Sequence, residues 1–238
     1  MALPKLNAAY YDLDLPYSKK TIQFRPFIVG EQKQLMIAIE SRDEKQILSA
    51  MKQAIQQCTN NTIDVNTLPL FELEYLFLNI RMKSVGENSK IVLTCDNCQA
   101  ENVVNIDLRN TEFTNLDAVK DNVIFLTDHI AVRMKMPSIS LVQHMRSSAL
   151  DEEKQTELLF ELTVNCLDAV LDQENEYPIS EVDKSEAVEF INSLNSEQFI
   201  KIQEWFEKMP ALKVKASHKC EKCGSDMSQD LQGITNFF

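Results

Sequence analysis

Apolar and polar side chains alternate near the start of the chain with the period of a half-buried strand. Tyr11, Leu13 and Leu15 alternate with Asp12 and Asp14, Pro16-Tyr17-Ser18-Lys19 supplies a turn, and Ile22 and Phe24 alternate with Gln23 and Arg25 up to Pro26. This pattern predicts a hairpin, preceded by an arm through Ala9. The period then lengthens to that of a helix. Val29 to Glu40 carries Leu35, Met36 and Ile39, and Asp43 to Gln57 carries a stripe at Ile47, Met51 and Ile55 that points on to Cys58. Asp43 and Glu44 sit at the positive N-terminal end of that second helix. A polar loop, Thr59-Asn60-Asn61-Thr62, separates it from a third helix predicted over Pro69 to Lys83. Leu70, Phe71, Leu73, Leu76, Phe77 and Ile80 make that helix apolar on most sides, so it is either buried all round or presses on a partner.

The pattern changes again after Gly86-Glu87-Asn88. Ile91-Val92-Leu93 leads into Cys95, and Val103, Val104, Ile106 and Leu108 follow Cys98, which reads as strand, tight turn, strand. A further hairpin is expected from Val123–Leu126 through Thr127-Asp128 to Ile130, Val132, Met134 and Met136, ending at Pro137. Helices are predicted at Ser140 to Ala149 and Glu152 to Leu171. Asp183-x-x-Glu186 reads as a capping box opening a helix to Leu194, and Asn195 or Ser196 as the cap of another that carries Phe199, Ile202, Trp205 and Phe206. Leu212 to Ala216 is strand-like and runs into a second cysteine pair. The fold class expected is α+β, a mostly helical body with short β-hairpins and a discontinuous zinc-ribbon-like module. The division expected is an N-terminal hairpin plus helices over 1–90, the module at 91–109 together with 212–238, and an inserted hairpin and acidic helical region over 110–211.

Charge sharpens this division. The net charge is −12, and the stretch 151–209 accounts for all of it with 16 acidic and 4 basic residues, the remainder holding 20 of each. Such a surface repels a phosphate backbone and lacks the basic footprint of a nucleic-acid binder. It reads as a solubilising face, or as a docking face for a basic partner. No stretch approaches the ~18–20 apolar residues of a membrane span, and the first thirty residues lack a signal-peptide pattern. With 44% hydrophobic and 25% charged residues, the composition is that of a soluble globular protein.

The chemistry concentrates in cysteine. Four of the 6 cysteines form two C-x-x-C pairs, Cys95/Cys98 and Cys220/Cys223. Cys58 and Cys166 fall on apolar helical stripes and read as small core hydrophobes, which fits a reducing compartment. Two residues between thiolates let both point inward from one turn. Two such turns facing each other make a closed tetrahedral site suited to Zn²⁺ in a structural role. Gly224 supports a knuckle by supplying a left-handed residue after the second cysteine, whereas Gln99 is less comfortable at the equivalent place. The pairs are 121 residues apart, far beyond a usual ribbon loop. A redox pair would stand at a helix N-terminus, and Val103 to Leu108 reads as strand instead.

Little else accumulates. His129 and His144 are isolated and read as surface or interface residues, and His218 is a possible replacement ligand. No phosphate-binding loop, dinucleotide fingerprint, serine-nucleophile elbow or H-E-x-x-H occurs, so no catalytic residue is assigned. Two residue sets remain as candidate contact surfaces: the apolar third helix, Leu70 to Ile80, and Phe237-Phe238.

Thr21-Ile22-Gln23-Phe24-Arg25-Pro26-Phe27, followed by Glu31-Gln32-Lys33, resembles the opening of the baseplate hub proteins of T-even-like contractile-tailed phages. Cys95 to Leu108 and the ending Leu231-Gln232-Gly233-Ile234-Thr235-Asn236-Phe237-Phe238 are similar to marine relatives of that family. The resemblance implies a non-enzymatic protein of hub assembly, a chaperone or a resident structural subunit. Its implied partners are other baseplate hub or wedge proteins, in the host cytoplasm during assembly or in the virion tail baseplate. The zinc site, at Cys95, Cys98, Cys220 and Cys223, is argued from spacing alone. The competing expectation is a hydrolase using Asp or Glu residues, with zinc only supporting the fold. A deep pocket lined by coupled carboxylates would mark the hydrolase, and broad apolar patches the assembly protein.

Overall fold

A computed structural model describes residues 8–148 and 155–232 of the 238-residue chain. The chain divides into two compact units, Met1–Phe113 with Ala211–Phe238, and Thr114–Pro210. The fold is mixed α and β, with seven helices and four small sheets among the described residues.

The first unit opens with the antiparallel hairpin of β1 (Tyr11–Asp14) and β2 (Thr21–Phe24), in which Leu13 faces Ile22. Leu15, Ile22 and Phe24 are buried beneath it. Three helices follow: α1 (Val29–Glu40), α2 (Glu44–Cys58) and α3 (Leu70–Val85). Asp43 caps α2, its Oδ1 accepting from the backbone N–H of Lys45 at 2.9 Å, as its place ahead of an amphipathic stripe dictates. Helix α3 is buried almost all round, with Leu73, Leu76 and Ile80 fully enclosed. Its Glu72 is fully buried as well. The carboxylate accepts from the backbone N–H groups of Tyr17 (2.6 Å) and Ser18 (2.9 Å) and from the Ser18 hydroxyl, so it satisfies the β1–β2 turn from below.

The same unit holds two longer hairpins. β3 (Asn88–Thr94) pairs antiparallel with β4 (Glu101–Asp107), and β10 (Ala211–Lys219) with β11 (Asp226–Gln232). Along each strand inward and outward positions alternate, as the 2-residue side-chain period requires. A short strand, β5 (Thr111–Thr114), joins β10 on its other edge.

The second unit is a four-stranded sheet with helices. Its strands are β6 (Val123–Phe125), β7 (Ala131–Met134), β8 (Leu167–Leu171) and β9 (Glu176–Pro178), in that spatial order. Its helices are α4 (Ile139–Ser148), α5 (Gln155–Cys166), α6 (Lys184–Asn192) and α7 (Ser196–Glu207). The predicted helix over Glu152 to Leu171 is corrected here. It stops at Cys166, and the chain passes straight into β8, which pairs with β7 on one side and β9 on the other. Leu167, Asp168, Ala169, Val170 and Leu171 satisfy a period of two as well as one of 3.6, and two flanking strands decide between them. The expected box at Asp183 is also corrected. Asp183 holds the N-cap position of α6, but its side chain makes no capping bond. Asn195 does cap α7, exchanging hydrogen bonds with Gln198 in a full capping box.

Among the described residues no helix is long and apolar enough to cross a membrane. Phe237-Phe238 and the side chain of His144 lie outside the described residues.

Candidate metal centre

The two C-x-x-C segments fold as twins. In the first, the N–H of Cys95 donates to Ala100 O at 2.9 Å and the N–H of Gln99 to Cys95 O at 2.8 Å. In the second, Cys220 donates to Ser225 O at 2.9 Å and Gly224 to Cys220 O at 2.9 Å. Each turn is carried by a hairpin, β3–β4 or β10–β11, and each needs one left-handed residue after its second cysteine. Gly224 adopts it at φ 73°. Gln99 adopts it at φ 57° despite its side chain. The strand–turn–strand reading of both segments therefore holds at the level of backbone hydrogen bonds.

The fold brings all four sulfurs together. Cys95 Sγ lies 3.7 Å from Cys223 Sγ and Cys98 Sγ 3.6 Å from Cys220 Sγ, and all four atoms lie within 4.8 Å of one another. A regular tetrahedron with arms of about 2.3 Å, the usual zinc–thiolate distance, has edges of about 3.8 Å. The closest separations match that edge, and the cysteines are not joined as disulfides. The donor set and its spacing fit one thiophilic ion. A multi-iron cluster would hold its thiolates farther apart.

The surroundings supply hydrogen bonds to sulfur. The amide of Asn102 donates to Cys220 Sγ at 3.6 Å, and that of Asn97 to Cys223 Sγ at 3.6 Å. Ser225 Oγ stands 3.2 Å from Cys223 Sγ. The Ser225 hydroxyl and backbone N–H, with the Asn97 amide behind them, bring the Cys223 thiol down to about 5. The Cys223 backbone N–H lowers Cys220 against the opposing effect of desolvation. A thiol that ionises readily is a better ligand, because the thiolate is the form that binds metal.

His218, the candidate replacement ligand, lies outside the four-sulfur cluster on β10, with its Nε2 buried and without a hydrogen-bond partner among the described residues. His129 is an exposed surface residue whose Nδ1 meets the amide of Gln173. Cys58 and Cys166 are fully buried in the two units, as their stripes predict, and burial pushes each thiol up to about 12. Neither sulfur has the character of a ligand or nucleophile.

Sequence reasoning missed Asn97, Asn102 and Ser225. One signal was present for Asn102. It occupies the inward register of β4 with Val104 and Ile106, where a polar side chain is out of place unless it is fully hydrogen-bonded.

A family model described as T4 bacteriophage base plate protein matches residues 8–238. No curated protein and no solved structure gives a significant match.

Proposed function

This chain belongs to the T4 bacteriophage base plate protein family, and from that premise we propose that it serves the baseplate hub, in hub assembly or as a resident structural subunit, without catalysing a reaction. The observation that carries this reading is the extent of the family match, which runs through both compact units. The surface of α1 supports it. Val29 is 82% exposed, Met36 and Ile37 are each more than half exposed, and so is Ile28 at the N-cap, which leaves four large apolar side chains at the surface of one short helix and its N-cap. The partners are other hub or wedge proteins rather than nucleic acid. The places of action are the host cytoplasm during assembly and the tail baseplate.

Within this reading Cys95, Cys98, Cys220 and Cys223 hold a structural zinc ion, and residues 91–109 with 212–238 form a zinc-ribbon-like module. The region 110–211 is its insertion. Bound there, zinc supplies a cross-link between two hairpins that are distant in the chain. Four thiolates leave no open coordination position, so the ion has no catalytic task.

Affinity capture of the tagged protein from infected cells, together with analysis of mature particles, tests the assignment. Co-purification with hub or wedge proteins is expected. Retention in particles identifies a resident subunit, and presence only on hub intermediates identifies an assembly factor. Absence from both overturns the proposal.

A further inference from the structure

We propose that Asn102 and Asn97 are positioning residues of the four-sulfur centre, reaching from the first thiol turn to hold the sulfurs of the second. The proposal rests on the metal reading above and assigns work to two residues outside the ligand set.

Asn102 is 2% exposed, and its polar side-chain atoms are both engaged. Oδ1 accepts from the backbone N–H of Glu221 at 3.0 Å, inside the second thiol turn. That fixes the amide's orientation, since a backbone N–H requires an acceptor, and Nδ2 is left to face Cys220 Sγ at 3.6 Å. Nδ2 also donates to Ala100 O at 2.9 Å. Ala100 O is the same carbonyl that accepts from Cys95 N and closes the first turn. One buried amide thus ties the first turn, the second turn and a ligand sulfur together. Asn97 repeats the device at the rim. It is exposed, and its Nδ2 donates to Ser225 Oγ at 3.0 Å and faces Cys223 Sγ at 3.6 Å.

The direction of these contacts is informative. Both amides come from the β3–β4 hairpin, and both act on the second cysteine pair, 121 residues downstream of the first. The first hairpin therefore carries a preformed receptor for the second. Four thiolates around a divalent ion leave a net charge of −2 on the centre, and N–H dipoles aimed at sulfur stabilise that excess. An aliphatic residue would fill the inward position of β4 without any desolvation cost, but it could offer no such donor.

The test uses the full-length chain loaded with cobalt(II) alone, comparing wild type with Asn102→Leu, Asn102→Asp and Asn97→Ala. Wild type is expected to show the intense sulfur-to-cobalt absorption of a four-thiolate site. Asn102→Leu and Asn97→Ala should lose about 10–100-fold in cobalt affinity by chelator competition. Their absorption should also move to longer wavelength, because a sulfur deprived of its hydrogen bond gives up charge more easily. A purely structural role would not move that band. Asn102→Asp keeps an acceptor for Glu221 but has no donor for Cys220, so it should stay defective. Asn97 is exposed, so its variant reports even if the buried substitutions impair folding. Variants with wild-type bands and affinities within about twofold of wild type overturn the proposal. A wild-type chain lacking the four-thiolate band instead removes the metal reading, and this inference with it.

Discussion

Arg25 is where three elements of the first unit meet. Its guanidinium lies against Glu31 of α1, with Nη2 to Oε1 at 2.6 Å and Nη1 to Oε2 at 2.9 Å, and it also donates to Gln57 O at the end of α2. Its own backbone N–H donates to Cys58 O, so β2 is tied to both helices by one residue. Desolvation pushes the Glu31 carboxyl up, but the Arg25 guanidinium and the Ile28 N–H outweigh it and hold the group below the ordinary carboxylate range. A carboxyl lowered in the folded state stabilises the protein above its unfolded value, about 4.3 for glutamate, and loses that contribution as pH falls through the folded value. Between pH 5 and pH 2, wild-type stability measured by urea unfolding should therefore fall more steeply than that of Glu31→Gln. Parallel curves would show that the carboxylate carries no such linkage. Glu72 makes a different case. It is fully buried with three donors on its carboxylate, so Glu72→Leu strands two backbone N–H groups and should cost about 2–4 kcal/mol. Hydrogen exchange at Tyr17 and Ser18 should accelerate in that variant, and unchanged exchange would contradict the role given to Glu72. The arginine was readable as a strand residue and Glu72 only as one member of an apolar helix. Their partners remote in sequence, Cys58 for Arg25 and Ser18 for Glu72, 33 and 54 residues away, were not readable.

At the scale of elements, caps and periods explain both what was legible and what was not. The sequence pairs Asp183 with Glu186 as plausibly as Asn195 with Gln198, yet only the second pair closes into reciprocal bonds. Asn195→Ala should accordingly cost about 1 kcal/mol in thermal or chemical unfolding, whereas Asp183→Ala should stay within about 0.5 kcal/mol. Equal losses would mean that both caps operate in solution. The passage from α5 to β8 shows the limit of periodicity. Lys135 N–H donates to Cys166 O at 2.7 Å, and Arg133 pairs with both Asp168 and Glu176 across the sheet. These contacts reward an extended Leu167–Leu171, and no local preference opposes them strongly enough to continue the helix. The first hairpin and α2 were legible because each has one strong period and a defined turn or cap, whereas α1 and α3 were marked by their apolar content and by the breaks at Pro26 and Gly86 rather than by a capping side chain.

For the whole molecule, the four sulfurs bring together two chain segments of the first unit that are separated in sequence by the 97 residues Thr114–Pro210. The entropy of closing so long a loop grows only as the logarithm of its length, and structural zinc in small peptides supplies roughly 10–16 kcal/mol. Chelation under reducing conditions should therefore loosen residues 91–108 and 212–231 together, seen as simultaneous new cleavage sites in limited proteolysis. Cys220→Ser should reproduce that pattern without a chelator. Cleavage confined to one hairpin would show that the pairs do not share an ion. The acidity of 151–209 belongs to this scale too. It lies in the second unit, so raising the salt concentration should weaken any contact that region makes with a basic partner, read as reduced co-purification in the affinity capture.

The sequence by itself determined all the hairpins but β8–β9, most of the helices, the two thiol turns and the burial of Cys58 and Cys166. Each of these depends on spacing within a few residues, where the covalent geometry of the chain already fixes which side chains share a face. The meeting of the thiol turns was expected from cysteine spacing, but tertiary structure alone decided that Asn102 bridges them, that Glu72 serves a distant turn and that the chain leaves its helix at Cys166. Each of those outcomes is a pairing between segments remote in order, and its free energy exists only once the segments are in contact.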